Sequence, residues 1–247
     1  MSRPRTLQPA ITAFNFPPGR VLGGKYRVER KLGGGWEGEV YEVIEERTGI
    51  RRAAKAFYPQ RNERDRAVRI YARKLEALRS CSMVIHYHHS ETITFRKTRV
   101  TLLLSEFVEG ELLSTFVRRQ PGRRLPVFPA LCLIHALIRG VEEIHAAKEY
   151  HGDLHAGNVL LKLHGVCFDL KVVDFYNWGR PTAAHLRDDV IDVIRLLYDA
   201  VGGKAKYASH PPAIKAICCG LRRDLIARKF PTARALREHL ETFEWTD

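Results

Sequence analysis

From Tyr26 the chain falls into short segments of alternating apolar and polar residues. Tyr26 to Leu32 alternates with the period of two that gives each face of a strand its own side chains. Val40, Tyr41, Val43 and Ile44 form a second such stretch. After the turn residues Thr48 and Gly49, Arg51 to Phe57 forms a third. The period then lengthens. Over Asn62 to Arg79 the residues Val68, Tyr71, Leu75 and Leu78 share one face of a helix. Met83 to Tyr87 and Arg99 to Phe107 read as strands, with room for Thr92 to Phe95 between them. A basic loop over Arg118 to Arg124, with Pro121 and Gly122, comes next, and Pro129 then precedes a long helix to about Ala147. Its apolar stripe is Leu131, Ile134, Leu137, Ile138, Val141 and Ile144. Val159 to Leu161 and Leu170 to Asp174 are short apolar strands. Asp189 to Gly203 is helical with Gly202 as its stop, Ala213 to Cys219 follows, and Thr232 to Phe243 closes the series. Residues 1–24 lack this periodicity and hold Pro4, Pro9, Pro17 and Pro18. They read as an extension lying on the domain or partly disordered.

At 247 residues, 45% hydrophobic and 28% charged, the chain can bury a large core as one domain or two lobes. It shows no apolar run of membrane-spanning length and no secretory h-region. The five cysteines are scattered without a Cys-x-x-Cys pair, the usage of a cytoplasmic protein with reduced thiols. The net charge of +13 points to an anionic partner or to simple solubility. Arg66, Arg69 and Arg73 gather on one face of the Asn62–Arg79 helix, as a solvated stripe or a dock for an anion.

Chemistry concentrates in His151-Gly-Asp-Leu-His-Ala-Gly-Asn-Val-Leu160. Gly152 and Gly157 oppose a continuous helix, and with it the zinc-ligand spacing that His151 and His155 would have on one. Asp153 and Asn158 then share a loop backed by the Val159–Leu161 strand. A carboxylate there can take a hydroxyl proton, and an amide oxygen can hold a Mg²⁺ against phosphate charge. Upstream, Gly33, Gly35, Gly38 and Val40 form Gly-x-Gly-x-x-Gly-x-Val between two strands. Small residues there let backbone N–H groups approach a phosphate, and a strand after Val40, instead of a helix, argues against a dinucleotide-binding turn.

This set resembles the protein-kinase superfamily, and specifically a compact bacterial Ser/Thr kinase whose His-Gly-Asp-Leu-His is similar to small-molecule kinases of the aminoglycoside and choline type. The resemblance spans about Tyr26 to Phe243. It implies an α+β, two-lobed fold: an extension over 1–24, an antiparallel N-lobe with one helix over 25–108, and a helical C-lobe over 109–247. It implies ATP and Mg²⁺ as cofactors and transfer of the γ-phosphate to a hydroxyl of a protein Ser/Thr, or else of a small molecule. Asp153, Lys55 and Asn158 would be catalytic. Asn158 and Asp174 would hold the metal. Gly33, Gly34, Gly35, Gly38, Val40, Ala53, Lys55, Glu106, Val108, Glu111 and Leu160 would bind the nucleotide, with Glu106 to Val108 offering backbone to adenine and Glu111, at the start of a helix, bonding the ribose. Ser105 would be the gatekeeper. Phe175 would pack on His151, and Asp189 would accept hydrogen bonds from the catalytic-loop backbone.

The sequence also departs from that family. Tyr71 stands in the slot of the helix Glu that pairs with the strand lysine, leaving Glu76 or Glu63 to substitute. Gly152 and His155 replace the usual Arg and Lys of the catalytic loop, and Tyr176 replaces the glycine after Asp174-Phe175. The segment from Asp174 to Asp189 is short, lacks Ala-Pro-Glu and holds Thr182 as its only Ser or Thr. Activity independent of segment phosphorylation is expected, and Arg228 is left without the partner it has in the family. Tyr71 and Tyr176 also fit a nucleotide-binding pseudokinase.

Overall fold

The alternating first part closes into one antiparallel sheet. Its strands are β1 (Val21–Leu22), β2 (Tyr26–Gly34), β3 (Gly38–Glu45), β4 (Arg51–Phe57), β5 (Tyr87–Phe95) and β6 (Thr98–Glu106), in the order β1-β2-β3-β4-β6-β5. Helix α1 (Arg66–Ala77) lies between β4 and β5 in sequence. The computed structural model describes residues 10–165, 167–176 and 179–244. It comprises two compact units, 1–76 with 86–107, and 77–85 with 108–247.

Register decides which side chains share a face. Lys55 pairs with Val40 on one side and Leu103 on the other, and Ala53 pairs with Glu42 and Ser105. Alternation therefore puts Val40, Ala53, Lys55, Leu103 and Ser105 on one face. Tyr41, Val43, Ala54, Ala56, Leu102 and Leu104 point the other way and join Ile11, Phe14, Phe16, Tyr58 and Phe95 in a buried cluster. Residues 10–22 thus lie on the sheet as a strap. Phe14 stacks on Phe16 at 5.2 Å and on Tyr58 at 5.3 Å, and both Phe14 and Phe16 meet Phe95 edge-on. The Phe16 amide donates to Tyr41 Oη (3.1 Å), the Asn15 amide to Glu39 Oε2 (3.0 Å) and Gln60 Nε2 to the Ile11 carbonyl (2.8 Å). Glu39 is buried and also receives Lys31 Nζ (2.6 Å) and the Tyr41 hydroxyl. These donors outweigh the burial that would raise it, and hold its carboxyl below the usual range. The first nine residues of the extension lie outside the described residues.

Two expectations change here. The Asn62–Arg79 helix starts only at Arg66, because Arg64 and Asp65 take left-handed φ of 50° and 59°, backbone that cannot continue a right-handed helix. No strand forms over Met83 to His86; β5 begins at Tyr87. Met83, Val84 and Ile85 belong to the second unit, where Val84 makes a single parallel bridge to Val172 and Met83 lies so close to Gly140 that a side chain there would collide with it. An apolar run that short can be buried without being a strand.

The second unit carries β7 (Glu111–Leu112), α2 (Leu113–Arg119), α3 (Val127–Ala146), β8 (Val159–His164), β9 (Cys167–Val172), α4 (Ala183–Ala200), α5 (Gly203–Tyr207), α6 (Pro212–Cys218), α7 (Arg223–Lys229) and α8 (Ala233–Thr242). Its small antiparallel sheet is ordered β7-β8-β9. The stripe read on α3 is buried and packs on α4, α8 and β9. Pro129 falls inside the first turn of α3, where a missing N–H costs nothing. Gly202 has φ of 108° at the end of α4, the left-handed geometry of a helix stop. Among the described residues no helix is long and apolar enough to cross a membrane, and the five cysteines are free thiols.

Candidate active site

The candidate residues divide between the two units. In the first, Val40, Ala53 and Lys55 share the sheet face defined above, and the glycine-rich turn joins β2 to β3. The Gly35 amide donates to the Gly38 carbonyl (2.9 Å) and the Tyr58 amide to the Glu37 carbonyl (2.9 Å). A Cβ on Gly38 would overlap the Ala56 carbonyl oxygen, so the turn can lie against the end of β4 only with glycine there. Lys55 faces inward, with a side chain 12% exposed. Its Nζ meets Glu37 Oε2 at 2.8 Å and lies 4.9 Å from the ring centroid of Tyr71 and 5.2 Å from that of Phe57. Glu37 is thus an acid on Lys55 that the sequence reading did not name. It comes from the turn, and α1 contributes a buried aromatic ring that attracts the ammonium by its quadrupole. Glu106, at the end of β6, receives the His86 amide on Oε2 (3.1 Å) and donates its own amide to the His86 carbonyl (2.9 Å).

In the second unit, Val108 lies in the irregular stretch before β7. Glu111 stands in β7, not at the start of a helix, and its carboxylate meets Arg119 Nη2 at 2.5 Å. Leu160 sits in β8 between Leu112 and Lys171.

The catalytic-loop candidates are held from several sides. Asp189, buried in α4, accepts the His151 amide (2.8 Å) and His145 Nε2 (3.1 Å) on one oxygen and the Gly152 amide (2.9 Å) on the other. Burial alone would raise its pKa, but hydrogen bonds from His145 and from the Gly152 and His151 amides hold it below the ordinary range. Gly152 has φ of 81°, which gives glycine a physical reason to stand there. His151 Nε2 lies 3.0 Å from the Val173 carbonyl, which can only accept, so Nε2 carries the proton. Nδ1 then accepts the Asp153 amide (3.3 Å). The ring also packs on Phe175 at 4.5 Å, as the sequence implied. Asn158 is buried, and its Nδ2 donates to the Asp153 carbonyl (2.9 Å) and to Asp153 Oδ2 (3.4 Å). That orientation leaves the amide oxygen to the other side. The Asp153 carboxylate is half exposed, with His155 Nε2 at 3.7 Å. Asp174 follows β9 after one residue, Val173. The strand ends at Val172, and Asp174 itself takes φ of 56°, turning the chain out of the sheet.

Thr182 caps α4, accepting the His185 amide at 3.3 Å, so that helix starts before the Asp189 read from sequence. Arg228 pairs with Asp224 on its own helix at 3.2 Å. One turn beyond Asp189, Asp192 is driven the other way: burial, then the charge of Asp189, pushes it up to about 6. A carboxyl raised on folding costs stability as pH climbs from its unfolded value of about 4 through 6, and costs nothing below that window. The full shift corresponds to about 3 kcal/mol; allowing for partial solvent access, about 1–2 kcal/mol is expected. Asp192→Asn should raise Tm by about 3–6 °C at pH 7.5, with the gain disappearing in melts at pH 4.

A family model described as "Protein kinase domain" matches residues 26–180. The chain is 31% identical over 160 residues to CBL-interacting protein kinase 30 of Oryza sativa subsp. japonica, covering 63% of this chain and 31% of that one. It is 30% identical over 163 residues to serine/threonine-protein kinase PknA of Mycobacterium tuberculosis, covering 64% and 36%. It therefore spans about a third of the length of these curated relatives. The crystal structure of the Mycobacterium tuberculosis PknI kinase domain matches with a TM-score of 0.65 at 19% identity, covering 92% of this chain and 98% of that one.

Proposed function

The chain belongs to the protein-kinase family, and from that premise we propose that it is an ATP- and Mg²⁺-dependent phosphotransferase moving the γ-phosphate to a hydroxyl, that of a protein Ser or Thr. The observation that carries this reading is the loop around Asp153. One buried carboxylate, Asp189, fixes the backbone at His151 and Gly152, while Asn158 fixes Asp153 from the other side. A base held by its backbone, with its carboxylate still open to solvent, is suited to orienting an incoming hydroxyl and accepting its proton as oxygen bonds to phosphorus.

Asn158 and Asp174 would hold the metal. An amide oxygen turned away from Asp153 and a carboxylate are hard oxygen donors of the kind Mg²⁺ takes. The bound metal would neutralise phosphate charge. Lys55 would meet the α- and β-phosphates, the amides of Gly33 to Gly38 would cradle phosphate, and Val40, Ala53 and Leu160 would pack on adenine. Glu106 and Val108 would offer it backbone groups. Glu111 would reach the ribose only by releasing Arg119. The exposed Arg66, Arg69 and Arg73 would serve an anionic partner. A small alcohol as acceptor is the second reading, favoured by α4 beginning at Ala183, so soon after Asp174.

Mg-ATP at about 100 times its Kd should stabilise the protein by about 2.7 kcal/mol, a Tm rise of about 5–10 °C. A folded protein whose melting is unmoved by millimolar Mg-ATP would remove the proposal. Labelled-ATP transfer to protein acceptors and to a panel of small alcohols separates the two readings.

A further inference from the structure

Lys55 already faces a carboxylate, and that carboxylate belongs to the turn assigned above to phosphate. Glu37 stands between Gly35 and Gly38, and the backbone on both sides of it is tied down. The Gly35 amide reaches the Gly38 carbonyl, the Tyr58 amide reaches the Glu37 carbonyl, and Gly38 is the pairing partner of Phe57. The tip from Gly33 to Trp36 is exposed, whereas Glu37 is drawn inward until Oε2 lies 2.8 Å from Lys55 Nζ. Tyr71 and Phe57 bring their rings to about the same ammonium, but a ring carries no net charge to set against it.

We propose that Glu37 is a built-in stand-in for phosphate. Its carboxylate engages Lys55 and gives up the ammonium when a polyphosphate arrives, so Glu37 lowers affinity for phosphate-bearing ligands without affecting the nucleoside. This rests on the assignment of ATP to this site. Two physical points support it. The Glu37 side chain is 36% exposed, and a pair open to solvent to that extent is weakly held and exchanges its anion readily. A carboxylate that stays close to a triphosphate repels it, increasingly so as phosphates are added. Glu37 thereby determines how strongly the site discriminates between nucleoside, diphosphate and triphosphate.

Calorimetric titration of the wild type and Glu37→Gln with adenosine, Mg-ADP and Mg-ATP tests this. The variant should bind Mg-ATP about 3–10-fold more tightly, gain less for Mg-ADP, and bind adenosine within about twofold of wild type. A Glu37→Gln that binds Mg-ATP no better, or worse, relative to adenosine overturns the proposal. Lys55→Met provides the second arm. With the ammonium gone, adding Glu37→Gln should give no such gain, and a gain that persists also overturns it. Failure of the underlying assignment looks different: neither wild type nor Glu37→Gln then binds Mg-ATP or adenosine, and the inference falls with it.

Discussion

Asp153→Asn should reduce phosphoryl transfer by about 10²–10⁴-fold, the contribution of a positioned general base, and leave the Mg-ATP thermal shift in place. The geometry makes these effects separable. Asn158 holds the Asp153 backbone carbonyl at 2.9 Å and His151 Nδ1 holds its amide, so the residue is fixed largely through its main chain. The substitution keeps size and hydrogen bonding and removes the charge and basicity that would receive the hydroxyl proton. Transfer assays run beside melting curves check it. Equal transfer by wild type and variant at background level with every acceptor, both still binding nucleotide, would favour a binding module over an enzyme.

Asp189→Asn should be costly in another way, lowering stability by about 3–5 kcal/mol, a Tm drop on the order of 10 °C, together with activity. Asp189 presents two oxygens to three donors. An amide has one oxygen, so its NH₂ must face an N–H, leaving a buried donor without an acceptor. Sign also distinguishes Asp189 from its neighbour. Its pKa is held below the unfolded value, so its stabilisation is present above about pH 4 and disappears as pH falls through the folded value. Urea titrations from pH 7 down to 3 should show wild type losing stability over that range and the variant losing less.

Both predictions concern residues that the sequence located, Asp153 within its own loop and Asp189 through the family resemblance, although Asp189 meets that loop from 37–44 residues away. Asp153, Asn158 and their glycines lie within one loop, and the α3 stripe is a period readable over several turns. The misplacements have physical causes of three kinds. Met83 to Ile85 are apolar enough for a strand, and only the tertiary structure decides that they are buried against β9 and α3. Helices α5 and α7, five and seven residues long, are too short for a 3.6-residue period to be visible. The third kind is charge pairing. Analogy of position looks to the helix for an acid on Lys55, and the register of β3 against β4 also brings the turn's own Glu37 to it. The one available signal was that Glu37 lies next to Gly38, in a turn that pairing must fold back toward Lys55. Side-chain reach over such a turn cannot be read from a linear string.

The strap under the sheet has a consequence for where this domain begins. The family match starts at Tyr26, but the hydrophobic cluster under strands β2 to β6 takes Ile11, Phe14, Phe16 and Leu22 from upstream of it. Burying the first three contributes about 5–9 kcal/mol by transfer energies, an upper figure of the same order as the whole stability of a typical domain. A fragment cut at the family boundary would keep every motif and expose the greasy underside of its own sheet. Such a surface binds other copies or holds the fragment in inclusion bodies. The recognisable domain and the foldable one differ here by an N-terminal segment that no catalytic motif marks.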